Sequence, residues 1–321
     1  MIPESIGQYR LEGPLAESRE GMLYRAVAQD TGLPVALKLV AADWFPSDGE
    51  REEFLQDAQA ATKLSHPHLR QLYEVGESGG QLYLAMELLE GATLRSLLVG
   101  GPLESEAALA WGGEVAEALA AAHAAGVVHG SLTPAKVFIT RESGVKVLDA
   151  GLWRLGTPAR VDLSQEENLN QSGVPAALVA ALAPEQIRGQ EPDARSDIFA
   201  LGTLLYHMTT GRNPFADANR VQAMHWVLGR TPPAASQLVP AMPAGLDELL
   251  SRALEKDPRG RYPDAGEAAA ALRAVAAGEE LPHVPARRVA LRLTAPLWVA
   301  IGAAVILLVL WFLYLGLLGP R

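Results

Sequence analysis

The chain has 321 residues, enough for one large two-lobed domain or two medium ones. With 49% apolar and 20% charged residues, general disorder is excluded. A formal net charge of −10 speaks against nucleic-acid binding, which needs a basic face, and the lack of any cysteine excludes disulfides, zinc–thiolate sites and thiol nucleophiles.

Taken in chain order, residues 1–8 form a short lead with no basic region ahead of an apolar run, so no signal peptide is expected. Residues 9–89 read as strands and turns with one helix. Val35-Ala36-Leu37-Lys38-Leu39-Val40 is a β-rich run after the turn signal Asp30-Thr31-Gly32-Leu33-Pro34. Phe54, Leu55, Ala58, Ala61 and Leu64 recur at helical spacing, and Leu82-Tyr83-Leu84-Ala85-Met86 is another short strand. From Ser105 the chain turns helical and alanine-rich, with breaks at Gly126, Gly211 and Pro232-Pro233.

Residues 278–293 read as a juxtamembrane linker stiffened by proline. Residues 294–318 then carry no charge. At helical rise this run spans about 37 Å, against a hydrocarbon core of about 30 Å. Arg287, Arg288 and Arg292 precede it and only Arg321 follows, which places residues 1–293 in the cytoplasm by the positive-inside rule. A single C-terminal anchor in the inner membrane is expected, with Trp298, Trp311 and Tyr314 near its two boundaries.

A series of motifs appears in order across residues 9–277. They are Val35-Ala36-Leu37-Lys38, His66-Pro67-His68-Leu69, Met86-Glu87-Leu88-Leu89, His129-Gly130-Ser131-Leu132-Thr133-Pro134-Ala135-Lys136, Asp149-Ala150-Gly151, Ala183-Pro184-Glu185, Ser196-Asp197 and Asp257-Pro258-Arg259-Gly260-Arg261. On these the chain resembles the eukaryotic-like serine/threonine protein kinases of bacteria. The resemblance implies an α+β, two-lobed kinase-like fold, with a β-rich N-lobe over 9–89 and a helical C-lobe over 90–277. It implies a Glu185–Arg261 pair and an Asp197 that holds the catalytic-loop backbone. It also implies a nucleotide cleft at Gly21, Leu23, Ala36, Lys38, Asp57, Glu87, Leu89, Lys136, Phe138 and Asp149.

The departures from the family pattern fall on the transfer chemistry. Where the resemblance places a glycine-rich loop, Ala16-Glu17-Ser18-Arg19-Glu20-Gly21 keeps only the third glycine, so an ordinary hairpin turn is expected there. Ser131 stands at the position of the catalytic Asp, and its hydroxyl is no comparable base near neutral pH. Thr133 replaces the lysine directed at the γ-phosphate. Lys136 replaces a metal-ligating Asn, and an ammonium repels cations; it is expected to pair with Asp149 or to contact phosphates in the metal's place. Asp149 remains as a ligand for a single Mg²⁺, but Ala150 replaces the phenylalanine that packs between lobes. Lys38 is expected to pair with Asp57 on the helix that follows, and Phe138 either narrows the adenine site or joins the core. Gly130 removes the arginine that receives an activation-loop phosphate, and the loop around Thr157, Ser164 and Ser172 reads as mobile.

The expectation is a membrane-anchored cytoplasmic pseudokinase that binds or scaffolds protein partners. It needs no cofactor, takes ATP with or without Mg²⁺ at most as a ligand, and does not engage nucleic acid. The alternative is an atypical or weakly active serine/threonine kinase that binds ATP.

Overall fold

The structure, a computed structural model, describes residues 4–142, 144–156 and 162–281. All but the ends of these belong to a β-rich lobe followed by a helical one. The first lobe is a six-stranded antiparallel sheet in the order β1-β2-β3-β4-β6-β5, formed by β1 (Ser5–Ile6), β2 (Tyr9–Ser18), β3 (Gly21–Ala28), β4 (Pro34–Val40), β5 (Leu72–Ser78) and β6 (Gln81–Glu87). Its single helix, α1 (Asp48–Ala61), starts where the Ser47 hydroxyl accepts from the Glu50 amide, with Asp48 and Glu50 in the first turn favouring the positive helix end. Phe54, Ala58 and Ala61 of α1 are buried, as their spacing predicts.

In the hairpin β2–β3, Ser18 pairs with Gly21, so Arg19 and Glu20 form a two-residue turn. The hairpin reading of this loop therefore holds. Gly21 has φ +134°, and a Cβ there would run into the Leu39 carbonyl oxygen of the adjoining strand. This glycine is required by strand packing itself.

After the short β7 (Gly91–Thr93) and α2 (Leu94–Leu97) come the long α3 (Ser105–Ala124), β8 (Val137–Thr140) and β9 (Val145–Val147); β7, β8 and β9 form a three-stranded sheet. The remaining helices are α4 (Glu166–Ser172), α5 (Ala176–Val179), α6 (Pro184–Ile187), α7 (Ala194–Thr210), α8 (Arg220–Gly229), α9 (Ala235–Leu238), α10 (Leu246–Ala253) and α11 (Ala265–Ala277). The spine of this lobe is α7, capped at one end by Asp193 in a reciprocal box with Ser196 and at the other by Gly211 in the left-handed region. It packs against α3, α10 and α11.

Two registers bring the cleft together. Strand β8 pairs Val137 with Val147 of β9, and the Leu148 amide donates to the Lys136 carbonyl at 2.8 Å. This sets Lys136 beside Asp149. On the other side, Leu69 forms a parallel bridge with Val147, and the Arg70 amide donates to the Val147 carbonyl at 2.9 Å. The connection from α1 to β5 is thereby laid along β9, and Arg70 faces the same carboxylate.

The loop expected to be mobile is in part folded. Leu163 and Leu169 are fully enclosed, α4 and α5 occupy much of residues 166–179, and the Ser164 amide donates to the Ile187 carbonyl at 3.0 Å. Burial of those two leucines stabilises the segment despite its polar composition. Thr157 lies outside the described residues. Among the described residues no helix is long and apolar enough to cross a membrane; the stretch 294–318 lies outside them.

Candidate functional site

The helical lobe carries a buried charged frame. Arg261, with no exposed side-chain surface, donates to both Glu185 oxygens at 2.7 and 2.8 Å and to the carbonyls of Arg195, Glu255 and Lys256. Burial pushes the Glu185 carboxyl up, but the Arg261 hydrogen bonds and charge, with the Ser196 hydroxyl, hold it below its ordinary value. Asp197, fully buried on α7, accepts from the backbone amides of His129 at 2.8 Å and Gly130 at 2.7 Å and meets His123 Nε2 at 2.8 Å. Gly130 has φ +67°, and a Cβ there would press on Trp153 and Pro192; its carbonyl accepts from Gln186 at 2.7 Å. The segment bearing Ser131 is therefore fixed from both sides, and Ser131 is itself buried, its amide donating to His129 Nδ1 at 3.3 Å. Thr133 is half-buried and its carbonyl accepts from the Lys136 amide at 2.9 Å.

The cleft carries a second charged cluster. Lys136 contacts one oxygen of Asp149 and Arg70 the other. Burial pushes the Asp149 carboxyl up, yet Lys136, Arg70 and Lys38 together hold it far below the usual carboxylate range. Burial works against the Lys136 ammonium, and Asp149 and Glu20 outweigh it, so Lys136 is raised. Asp149 also has φ +61°, a left-handed conformation uncommon outside glycine, of the kind that gathers at functional sites.

Lys38 does not reach Asp57, which corrects the expected pair. Its Nζ contacts Glu20 at the hairpin turn and donates to the Ser18 hydroxyl at 3.3 Å. Asp57 instead takes Arg154 Nε at 2.9 Å. Arg154 lies in the 3-10 turn Trp153–Leu155, just beyond Asp149-Ala150-Gly151. It also reaches Glu53 of α1 at 3.0 Å and Glu191 of the helical lobe at 3.5 Å. The shorter Asp side chain at 57 is thus engaged from below by an arginine instead of from above by the β4 lysine.

The other expected cleft residues lie as follows. Leu23 stands opposite Lys38 across β3–β4, and Ala36 lies two residues before Lys38, so all three share one face of the sheet. Glu87 ends β6, meets Lys146 at 3.0 Å and accepts from the Gln71 amide at 3.1 Å; Leu89 follows it, half-buried. Phe138 is half-buried beside Gly91 and stands outside the hydrophobic core.

For a divalent cation the residues do not fit. Both Asp149 oxygens are held by cations, Lys136 stands at the second ligand position, and among the described residues no group of three or more His, Asp or Glu converges. Sequence reasoning missed Arg70, Arg154 and the Glu20–Lys38 pair. Arg70 was open to detection as an isolated cation between Leu69 and Leu72; the other two depend on turns that only the folded chain brings together.

The protein kinase domain family matches residues 9–272. The serine/threonine-protein kinase PknL of Mycobacterium bovis is 34% identical over 284 residues, covering 88% of this chain and 69% of that protein. PknJ of Mycobacterium tuberculosis is 34% identical over 294 residues, covering 88% of this chain and 48% of that protein. The crystal structure of the Mycobacterium tuberculosis PknI kinase domain matches with a TM-score of 0.69 at 27% identity, covering 85% of this chain and 97% of that one. With its two lobes, its ordered motifs and these relatives, the chain belongs to the bacterial serine/threonine protein kinase family.

Proposed function

We propose that this kinase-fold domain works as a protein-binding or allosteric regulator without efficient phosphotransfer. One observation carries the reading: Lys136 and Arg70 hold both oxygens of the Asp149 carboxylate. Phosphoryl transfer rests on positioning and on charge stabilisation supplied largely by metal, and here cations fill that place. Ser131 stands where a base would act, and a general base alone contributes about 10²–10⁴ in rate. The test is transfer of radiolabelled phosphate from ATP with Mg²⁺ to the chain itself and to a generic acceptor protein. Transfer at or below the level of the Lys38→Met variant is expected; transfer well above it that Lys38→Met abolishes overturns the reading.

The second reading is an atypical or weakly active serine/threonine kinase that uses ATP. The relatives support it better than the first, because they carry the names of serine/threonine-protein kinases. The same assay decides between the two.

The domain is proposed to sit at the cytoplasmic face of the inner membrane, held by residues 294–318, on the strength of their uncharged run and the arginines before it. Retention of the full chain in the membrane pellet after alkaline wash is the expected result, and release of the full chain overturns it.

A further inference from the structure

We propose that the cleft cluster binds a nucleoside di- or triphosphate without a divalent cation, Lys38, Arg70 and Lys136 holding the phosphates and Glu20 acting as the internal anion they give up. The inference goes beyond the reading above and stands whether or not phosphate is transferred.

Three cations, Lys38, Arg70 and Lys136, face two carboxylates, Glu20 and Asp149, and all five side chains are less than a quarter exposed. The cluster therefore keeps an excess of positive charge in a partly desolvated place, where charge-assisted hydrogen bonds to phosphate oxygens are strong. The two carboxylates differ in how they are held. Asp149 is fixed by backbone register between β9 and the 3-10 turn and is shared by two cations. Glu20 sits on a two-residue hairpin turn, where it is in direct contact with Lys38 alone among the three cations and accepts from the Ser18 hydroxyl at 3.3 Å. Its carboxylate leaves without disturbing any core residue, and its departure frees Lys38 for an external anion. A metal is not needed to screen the phosphates, because two cations already stand around Asp149 where a metal would have to bind.

The apolar face beside the cluster favours a nucleoside over bare polyphosphate. Leu23 and Ala36 share the sheet face of Lys38, and the half-buried Phe138 ring stands outside the core near the segment joining the lobes. Such a face gives a base something to pack on.

The test is equilibrium binding and thermal melting of the full-length chain in mild detergent, read by intrinsic tryptophan fluorescence, with ATP, ADP, adenosine and tripolyphosphate, each in EDTA and in Mg²⁺. ATP and ADP are expected to bind at least as tightly in EDTA as in Mg²⁺, and adenosine and tripolyphosphate more weakly. Lys136→Ala and Arg70→Leu should each weaken ATP by about tenfold or more, and Glu20→Gln should tighten it by roughly tenfold. The Glu20 variant changes a hairpin-turn side chain outside the hydrophobic core, so it keeps the test valid if a cleft variant folds poorly. Binding that requires Mg²⁺, or no ATP binding by either the unaltered chain or Glu20→Gln, overturns the proposal. Tripolyphosphate binding as tightly as ATP overturns its nucleoside part. Phosphotransfer in the same samples bears only on the function proposed above, so the two failures are separable.

Discussion

In the helical lobe, Arg261 is wholly enclosed and its guanidinium is shared between Glu185 and three backbone carbonyls. In the cleft, Asp149 is shared between two long cations whose side chains keep 10% and 24% of their surface exposed. The first cluster joins α6, the start of α7 and the turn before α11, and each guanidinium nitrogen of Arg261 and both Glu185 oxygens have a backbone or side-chain partner. The second joins side chains that no helix or strand requires to be charged. One is a structural device in which charge substitutes for apolar packing; the other is an open arrangement whose partners can be exchanged. Frame and cleft thus differ in kind: the buried charges of the helical lobe are fixed by backbone and side-chain partners, and those of the cleft are shared among partly exposed side chains.

The largest test breaks the frame. Arg261→Met leaves the Glu185 carboxylate buried without its cation and should cost about 3–5 kcal/mol in chemical denaturation. The loss should also depend on pH. In the unaltered protein the folded carboxyl lies below its unfolded value, so its contribution is full above the usual carboxylate range and is lost as pH falls through the folded value. In the variant, burial with no cation raises the folded value, and protonation then relieves the penalty. The gap between the two proteins should therefore narrow on going from pH 7 to about pH 4. A gap constant with pH would mean that the pair contributes packing alone.

A cleft substitution should cost less. Asp149→Asn leaves Lys136 and Arg70 facing each other without a carboxylate, at about 1–3 kcal/mol in the same measurement. The two clusters should also differ in their answer to salt. The cleft pairs are partly exposed and should weaken as ionic strength rises from low to about 1 M, while the enclosed Arg261–Glu185 pair should not. If Asp149→Asn proves as costly as Arg261→Met and as indifferent to salt, the contrast between a fixed frame and an exchangeable cleft fails.

The frame was legible in the sequence and the cleft only in part, for a physical reason. Glu185, Asp197 and Arg261 belong to motifs whose spacing is set by the helices they join, so knowing the motif gave the contact. The Lys136–Asp149 pair was equally accessible, since it follows from the hairpin register of β8 and β9. The Lys38 partner was not. A lysine on a strand reaches any carboxylate within its four-carbon stem, and the two-residue turn at Arg19–Glu20 brought Glu20 closer than α1 brought Asp57. Composition misled in residues 162–179 because two buried leucines outweigh many polar neighbours once they find a surface. Phe138 was weighed as core or adenine site, and its ring is half-buried and stands outside the hydrophobic core.

A smaller effect is expected from Arg154, and it asks which lobe owns α1. Its guanidinium reaches Glu53 and Asp57 on α1 and Glu191 in the helical lobe, and it stacks 4.4 Å over Trp153. The three carboxylates are each about a third or more exposed, so solvent screens them, and Arg154→Gln should cost only about 1–2 kcal/mol globally. Its local effect should be larger than its global one. Without the arginine, α1 keeps its buried Phe54 and Ala58 but loses its tie to the segment after Asp149. Amide hydrogen exchange in residues 48–61 should quicken while exchange in α7 stays as it was. Equal quickening in both would show that the lobes open together, and Arg154 would then belong to the frame and not to the cleft.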